Sequence, residues 1–366
     1  MTRMFLSPSR YVQGAGCIAE IGIHAARMGT KALFTGGKTA LQVCGSRVEA
    51  SLKDSKVGCH KEAFRGECSI KEISRLVGIA KANSADLVIA AGGGKAIDTG
   101  KAVGYEMKIP VIVAPTIAAS DAPCAAVSVI YSEHGVFERL LILPRNPDCV
   151  LVDTTVVANA PVEFLVSGMG DALATHWEAD TCARSCKPHP LTGACPPTLS
   201  SLALARLCHD TLLEYGLQAK LAVEKKSVTP AVEAVVEANI LLSGLGFESG
   251  GLAAAHAVHN GLTVLEASRA KFHGQKVAFG VVTQMVLEDR PARDRDQVLD
   301  FCLSVGLPVC LEDVGLSDPS REDIRKVAEA TTAAGETIHS TWFPVTAEMV
   351  ESAIWAADAL GKERKK

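Results

Sequence analysis

The sequence predicts an α/β domain over residues 1–160 followed by an all-helical domain over residues 161–366. Three observations carry that prediction. Through the first part of the chain, short and almost wholly apolar runs alternate with an amphipathic segment, as in a parallel sheet covered on both faces. From Pro161 onward the composition turns to alanine and leucine at helical spacing, with few strand candidates. A chain of 366 residues is also long enough to bury two cores of ordinary domain size.

In chain order, 31–37 (KALFTGG), 85–94 (ADLVIAAGGG) and 109–116 (IPVIVAPT) each read as a buried strand ending in turn residues. Between the first two, 69–84 (SIKEISRLVGIAKANS) reads as a helix with Ile70, Ile73, Leu76 and Ile79 along its apolar face. Residues 128–143 form a hairpin around SEHG, and 149–161 add a strand and a connector. In the second domain, 199–216, 231–250, 279–288 and 348–366 read as helices. The basic end GKERKK reads as a solvated tail.

Composition narrows the function classes. Hydrophobic residues make up 48% of the chain, yet no run approaches the ~18 apolar residues a membrane span needs. The start carries no signal-peptide core. A net charge of -4 gives no reason to expect a nucleic-acid partner. Twelve scattered cysteines fit reduced thiols in a cytoplasmic protein better than a disulfide framework. Cys182, Cys186 and Cys195 cluster in the segment around 185–197 (SCKPHPLTGACPP), but their spacing is not that of a structural zinc site. A surface loop is the simpler reading.

The first chemical signal is ADLVIAAGGGKAIDTGKAVG. An apolar strand runs into Gly92, Gly93 and Gly94, then Lys95, then a helix. Glycines let the backbone approach a phosphate, and a helix N-terminus offers free N–H groups to an anion. A plain strand–helix turn would look the same. Asp98 and Lys101 follow inside that helix, with solvation as their simplest reading. The next strand empties into APTIAASDAPCAAVSVIY, which places Asp121 at a C-terminal strand end, where ligands sit in open α/β sheets. Asp121 either meets a ligand there or caps the turn before Pro123.

The second signal is histidine. GGLAAAHAVHNGL (250–262) sets His256 and His259 three apart on neighbouring parts of one helix, and His273 follows in KFHGQK. In PVEFLVSGMGDALATHWEAD, Asp171 follows the glycines of GMG at the expected start of a helix, where capping would explain it. Two imidazoles and one carboxylate also make a common open-site ligand set for a catalytic divalent ion. Spacing does not say which two histidines bind. The remaining histidines receive no role.

Together, GGGKAIDTGKAVG, APTIAASDAPCAAVSVIY, GMGDALATHWEA, GFESGGLAAAHAVHNGLT, FHGQKVAFG and GETIH make the chain resemble, over almost its full length, the glycerol dehydrogenases of the metal-dependent (iron-containing) alcohol dehydrogenase superfamily. The resemblance implies a Rossmann-like first domain, a helical second domain and a zinc ion in the cleft between them, an architecture shared with dehydroquinate synthase. It implies oxidation of glycerol to dihydroxyacetone with hydride passing to NAD. Its metal ligands fall on Asp171, His256 and His273. Its pyrophosphate loop falls on Gly93, Gly94 and Lys95, and further cofactor contacts on Thr116, Ala119, Ala125, Val127 and Tyr131. Substrate contacts fall on Asp121 and Phe247 beside the metal histidine His256. His259 is expected to relay a proton or to support a ligand.

The iron-binding relatives carry a further histidine four residues after the metal aspartate; Thr175 stands there, which favours a three-ligand zinc site. NAD-using relatives carry an acidic residue where this chain has Gly37 followed by Lys38. NADP is therefore a second cofactor candidate, and an NADP-preferring polyol or hydroxyketone reductase the nearest alternative. A dehydroquinate synthase-like lyase is the alternative of another class. The resemblance also implies a small polyol substrate and a homo-oligomer, often an octamer.

Overall fold

The computed structural model describes residues 2–189 and 192–366. The chain divides into two compact units. The α/β unit takes residues 6–164 and 222–244; the helical unit takes 165–221 and 245–366 with the amino-terminal residues up to Phe5. Segment 222–244 thus belongs to the α/β unit although it follows Pro161 in sequence. Glu233 anchors it: its carboxylate accepts from Gln13 Nε2 at 2.8 Å and from Thr154 Oγ1 at 2.6 Å.

Eight strands are described in the α/β unit: β1 (Tyr11–Gly14), β2 (Lys31–Gly36), β3 (Gly58–Ala63), β4 (Leu87–Gly92), β5 (Val111–Pro115), β6 (Val127–Tyr131), β7 (Phe137–Ile142) and β8 (Cys149–Asp153). Six of them form a sheet in the order β1-β8-β5-β4-β2-β3, parallel throughout. β2, β4, β5 and β8 are buried along almost their whole length, so they appear in the sequence as continuous apolar runs. β3 is an edge strand whose residues alternate between exposed and half-buried, and β1 has four residues; neither gives an apolar run. β6 and β7 form the expected antiparallel hairpin. The sheet reverses direction between β2 and β4: the connection from β2 runs outward to β3, and that from β4 runs the other way to β5. Such a reversal opens a crevice at the carboxyl ends of the strands.

Several sequence expectations change here. In the helix Ile70–Ala82, Ile70 is exposed and the buried face is Ile73, Leu76 and Ala80 with Glu72. Asp98 and Lys101 are buried rather than solvated. The basic tail is not loose: the last helix runs Ala347–Arg364, Arg364 grips Asp300 through two bonds of 2.7 and 2.6 Å, and Lys365 pairs with Asp313 at 2.8 Å. Pro230–Gly250 is one helix long and apolar enough to cross a membrane by length and composition, against expectation; 72% of its apolar window is buried inside the protein, as in a core helix.

Candidate metal centre and dinucleotide loop

Three helices of the helical unit bring the chemistry together: Val162–Ser185, Ala254–Leu262 and His273–Leu287. Asp171 does not begin a helix, as its glycine neighbours suggested; it lies well inside the first of the three. The glycines serve contact instead. A Cβ on Gly170 would lie 2.2 Å from the carbonyl oxygen of Gly274, and one on Gly274 would lie 1.8 Å from that of Ser167. The two helices touch backbone to backbone, which sets Asp171 beside His273. Likewise a Cβ on Gly280 would lie 2.3 Å from Ala255 O, so the alanine-rich helix packs tightly on the third.

His256 Nε2 and His273 Nε2 both face Asp171 Oδ1, at 3.3 and 3.1 Å. One ligand atom from each of the three residues lies within 4.8 Å of the other two. Ligands held at about 2.0–2.1 Å around one tetrahedral ion lie roughly 3.3 Å apart, so the spacing fits a zinc-sized cation.

The outer hydrogen bonds decide which nitrogens are bare. Glu178 Oε2 lies 2.6 Å from His256 Nδ1; a carboxylate only accepts, so Nδ1 carries the proton and Nε2 of the neutral ring is a bare acceptor. On the other side, Asn260 Nδ2 donates to Glu336 Oε2 at 3.0 Å, which fixes the amide. Asn260 Oδ1 then accepts from His259 Nδ1 at 3.0 Å. His259 Nε2 in turn accepts from His273 Nδ1 at 3.0 Å. That leaves His273 Nε2 bare as well. Two imidazole lone pairs and a carboxylate thus converge, and only a cation between them, a metal ion or a proton, makes the arrangement favourable.

The electrostatics agree. Burial by itself raises the Asp171 carboxyl, but His273 and His256 hold it well below the usual carboxylate range. Burial opposes charge on His256, yet Glu178 and Asp171 raise its pKa well above the ordinary value. Burial, His273 and Lys276 hold His259 well below it, so that ring stays neutral. Thr175, where iron-binding relatives have a ligand, is buried against Gly246. Phe247 lies on the helix Ser243–Gly250, and its carbonyl receives Gly251 N at 2.8 Å.

In the α/β unit the glycine turn sits at the sheet reversal. Gly92 ends β4 with φ +143°, a backbone region that favours glycine. Gly93 starts the helix Gly94–Met107 without a side-chain cap, which leaves its first N–H groups open to an anion. A Cβ at Gly93 would lie 2.9 Å from Ile117. Gly37 follows β2 and starts the helix Lys38–Asp54, also without a side-chain cap and with no acidic residue in its first turn. A Cβ on Gly92 would lie 3.8 Å from Gly37 N, so the two turns are neighbours. Lys95 pairs with Glu67 at 2.7 Å and stands over the Tyr131 ring, 4.9 Å from its centre.

Thr116 follows β5, and its N–H reaches Gly92 O at 3.0 Å. Buried Lys101 pairs with Asp98 at 2.9 Å and donates to the carbonyls of Ala122, Ala125 and Val127. Asp98 also accepts from Val129 N at 2.9 Å. The pair therefore ties the 116–127 segment, with Ala119, Ala125 and Val127, to the glycine-loop helix. Asp121 both holds its turn, accepting Cys124 N at 3.2 Å through its carbonyl, and offers its carboxylate, where Oδ2 accepts Ser243 Oγ at 2.9 Å.

Sequence reasoning missed Glu178, Asp98 and Lys101. For Glu178 a signal existed: it lies seven residues after Asp171, two turns along the same helix face.

Known proteins place this geometry. A family model of iron-containing alcohol dehydrogenases matches residues 8–154. A glycerol dehydrogenase of Thermotoga maritima is 52% identical over 359 residues, covering 98% of this chain and 97% of that protein. A glycolaldehyde reductase of Halobacterium salinarum is 46% identical, with 99% of each chain covered. The crystal structure of glycerol dehydrogenase from Schizosaccharomyces pombe superposes with a TM-score of 0.95 at 36% identity, covering 100% of this chain and 92% of that one. The chain belongs to the glycerol dehydrogenases of the iron-containing alcohol dehydrogenase family.

Proposed function

We propose that this enzyme oxidises glycerol, and other small vicinal diols, to the corresponding hydroxyketone, dihydroxyacetone from glycerol, with NAD taking the hydride. Asp171, His256 and His273 hold a zinc ion. The observation that carries the reading is the convergence of His256 Nε2, His273 Nε2 and Asp171 Oδ1, three bare acceptors with a spacing that suits one small divalent cation. When bound, the ion supplies a Lewis acid that lowers the pKa of an alcohol, and the dinucleotide supplies the hydride acceptor.

The chain's own residues do the holding. Gly93 and Gly94 at the open helix N-terminus receive the pyrophosphate, with Lys95 beside them. Gly37, Thr116, Ala119, Ala125, Val127 and Tyr131 bind the rest of the dinucleotide. Asp121 takes a hydroxyl of the polyol and favours diols over simple alcohols, and Phe247 lines the alcohol pocket. His259 acts by orientation: its outer partner Asn260 is an amide that does not titrate, so the chain from His273 to Glu336 fixes rings rather than conducting protons. A homo-oligomer belongs to the same reading. The exposed Val136, Phe137, Leu140 and Ile142 of the hairpin support it, since monomers rarely present such an apolar face to water.

NADP is the second reading, favoured by one observation. The turn after β2 has no carboxylate in the first helical turn and exposes Lys38, so nothing there repels a 2′-phosphate.

Initial rates with glycerol and 1,2-propanediol, with each cofactor, on chelator-stripped and zinc-reloaded protein test the proposal. Net NADH formation should vanish on stripping and return with zinc. Full turnover by stripped protein in which elemental analysis finds no metal overturns it. A reaction without net NADH release would point to the lyase.

A further inference from the structure

Glu178 does two things at once. It is wholly buried on the same helix as Asp171. Its Oε1 accepts the N–H groups of Ala253 and His256, at 2.8 and 3.0 Å. These lie at the start of Ala254–Leu262, a helix whose own first residues provide no side-chain cap. Its Oε2 takes the Nδ1 proton of His256 at 2.6 Å. One carboxylate therefore satisfies two orphan donors of the helix and fixes the tautomer of the imidazole that the helix carries. A carboxylate is also favoured at the positive end of a helix.

We propose that Glu178 is the positioning residue of the metal site: it locks His256 with Nε2 bare and aimed at the ion, and it ties that aim to the register of the helix. The proposal rests on the reading of Asp171, His256 and His273 as metal ligands. It explains why an acid is buried in a helix otherwise rich in alanine. It also separates Glu178 from its neighbour Gln284, whose Oε1 caps the same helix through Ala255 N at 2.9 Å and makes no bond to His256.

Glu178→Gln has nearly the same volume and can still accept the two backbone N–H groups. Its amide would then face His256 Nδ1 with a donor, which drives the ring to the tautomer with Nε2 protonated. Zinc affinity, measured on stripped protein by competition with a chromophoric chelator, should fall 10- to 100-fold, with the thermal midpoint of the stripped protein little changed. The visible spectrum of the cobalt-loaded protein should change as well. Gln284→Met, which removes a cap but not the imidazole bond, should leave zinc affinity within about threefold of wild type.

Wild-type zinc affinity in Glu178→Gln overturns the proposal. So does an equal loss in Gln284→Met, which would make the effect one of capping alone. If Glu178→Gln fails to fold, Glu178→Asp replaces it, one methylene short of the imidazole but still anionic, and the same two outcomes apply. Failure of the wild-type protein to bind zinc would sink the metal reading itself, which is a different result.

Discussion

At the scale of single residues, the site was legible wherever the side chain has few other reasons to be present. Two histidines in an alanine helix, a third before a glycine and one aspartate suffice to suggest an ion. They do not rank the histidines. Ranking comes from hydrogen bonds that pass between helices: Glu178 on one side and Asn260–Glu336 on the other leave Nε2 of His256 and His273 bare. His259 is part of this scaffold, so His259→Ala should weaken zinc binding by about tenfold and lower kcat without moving the pH profile of kcat. A displaced acid limb in that profile would restore the proton-relay role. Glu178 escaped notice because a lone glutamate on a helix is ordinarily solvated; its distance from Asp171 was readable, but its burial was not.

At the scale of elements, continuous apolar strands and the hairpin could be read directly, because burial on both faces leaves an unbroken pattern. Edge strand β3 could not, since its residues look like loop. The glycines of GMG misled for a physical reason. Glycine usually signals a turn, but Gly170 stands inside a helix because another backbone occupies the place of its side chain. Gly170→Ala should therefore cost more than about 2 kcal/mol of stability by overpacking, and it should weaken zinc binding as well, because the helices that carry Asp171 and His273 must part. Denaturant titration of stripped protein, with zinc affinity beside it, checks both. Unchanged stability would mean that the helix contact is slack. The burial of Asp98 and Lys101 was hidden in the same way: two charges one turn apart look like a solvated pair until the segment whose carbonyls and N–H they bind folds over them.

At the scale of the whole molecule, the two-unit organisation was readable from the change in composition, but the return of 222–244 to the α/β unit was not, because it depends on Glu233 meeting Gln13 and Thr154 far away in sequence. Acid stability is also a global property with a local cause. Burial pushes His176 down to about 4, with His209 beside it, and the unfolded chain titrates near 6.5. Between those values the unfolded state binds a proton that the folded state does not, so stability falls as the pH falls from about 6.5 to about 4. His176→Gln should lose less stability than wild type across that window, by up to ~1.4 kcal/mol per pH unit, in denaturant titrations of zinc-saturated protein; parallel curves would refute the assignment. Heat resistance should track the ion too. Zinc joins three helices and favours the folded state by mass action, so chelation should lower the thermal midpoint. The contact of Gly170 with Gly274 bears on which ions restore it. Side chains change rotamer readily, but packed peptide groups do not, so the bite of the site has the stiffness of the main chain. An ion that prefers its ligands at about 2.0–2.1 Å enters without moving anything, whereas calcium, at about 2.3–2.6 Å, must pry two helices apart, and so the protein selects its metal by radius through a pair of missing side chains.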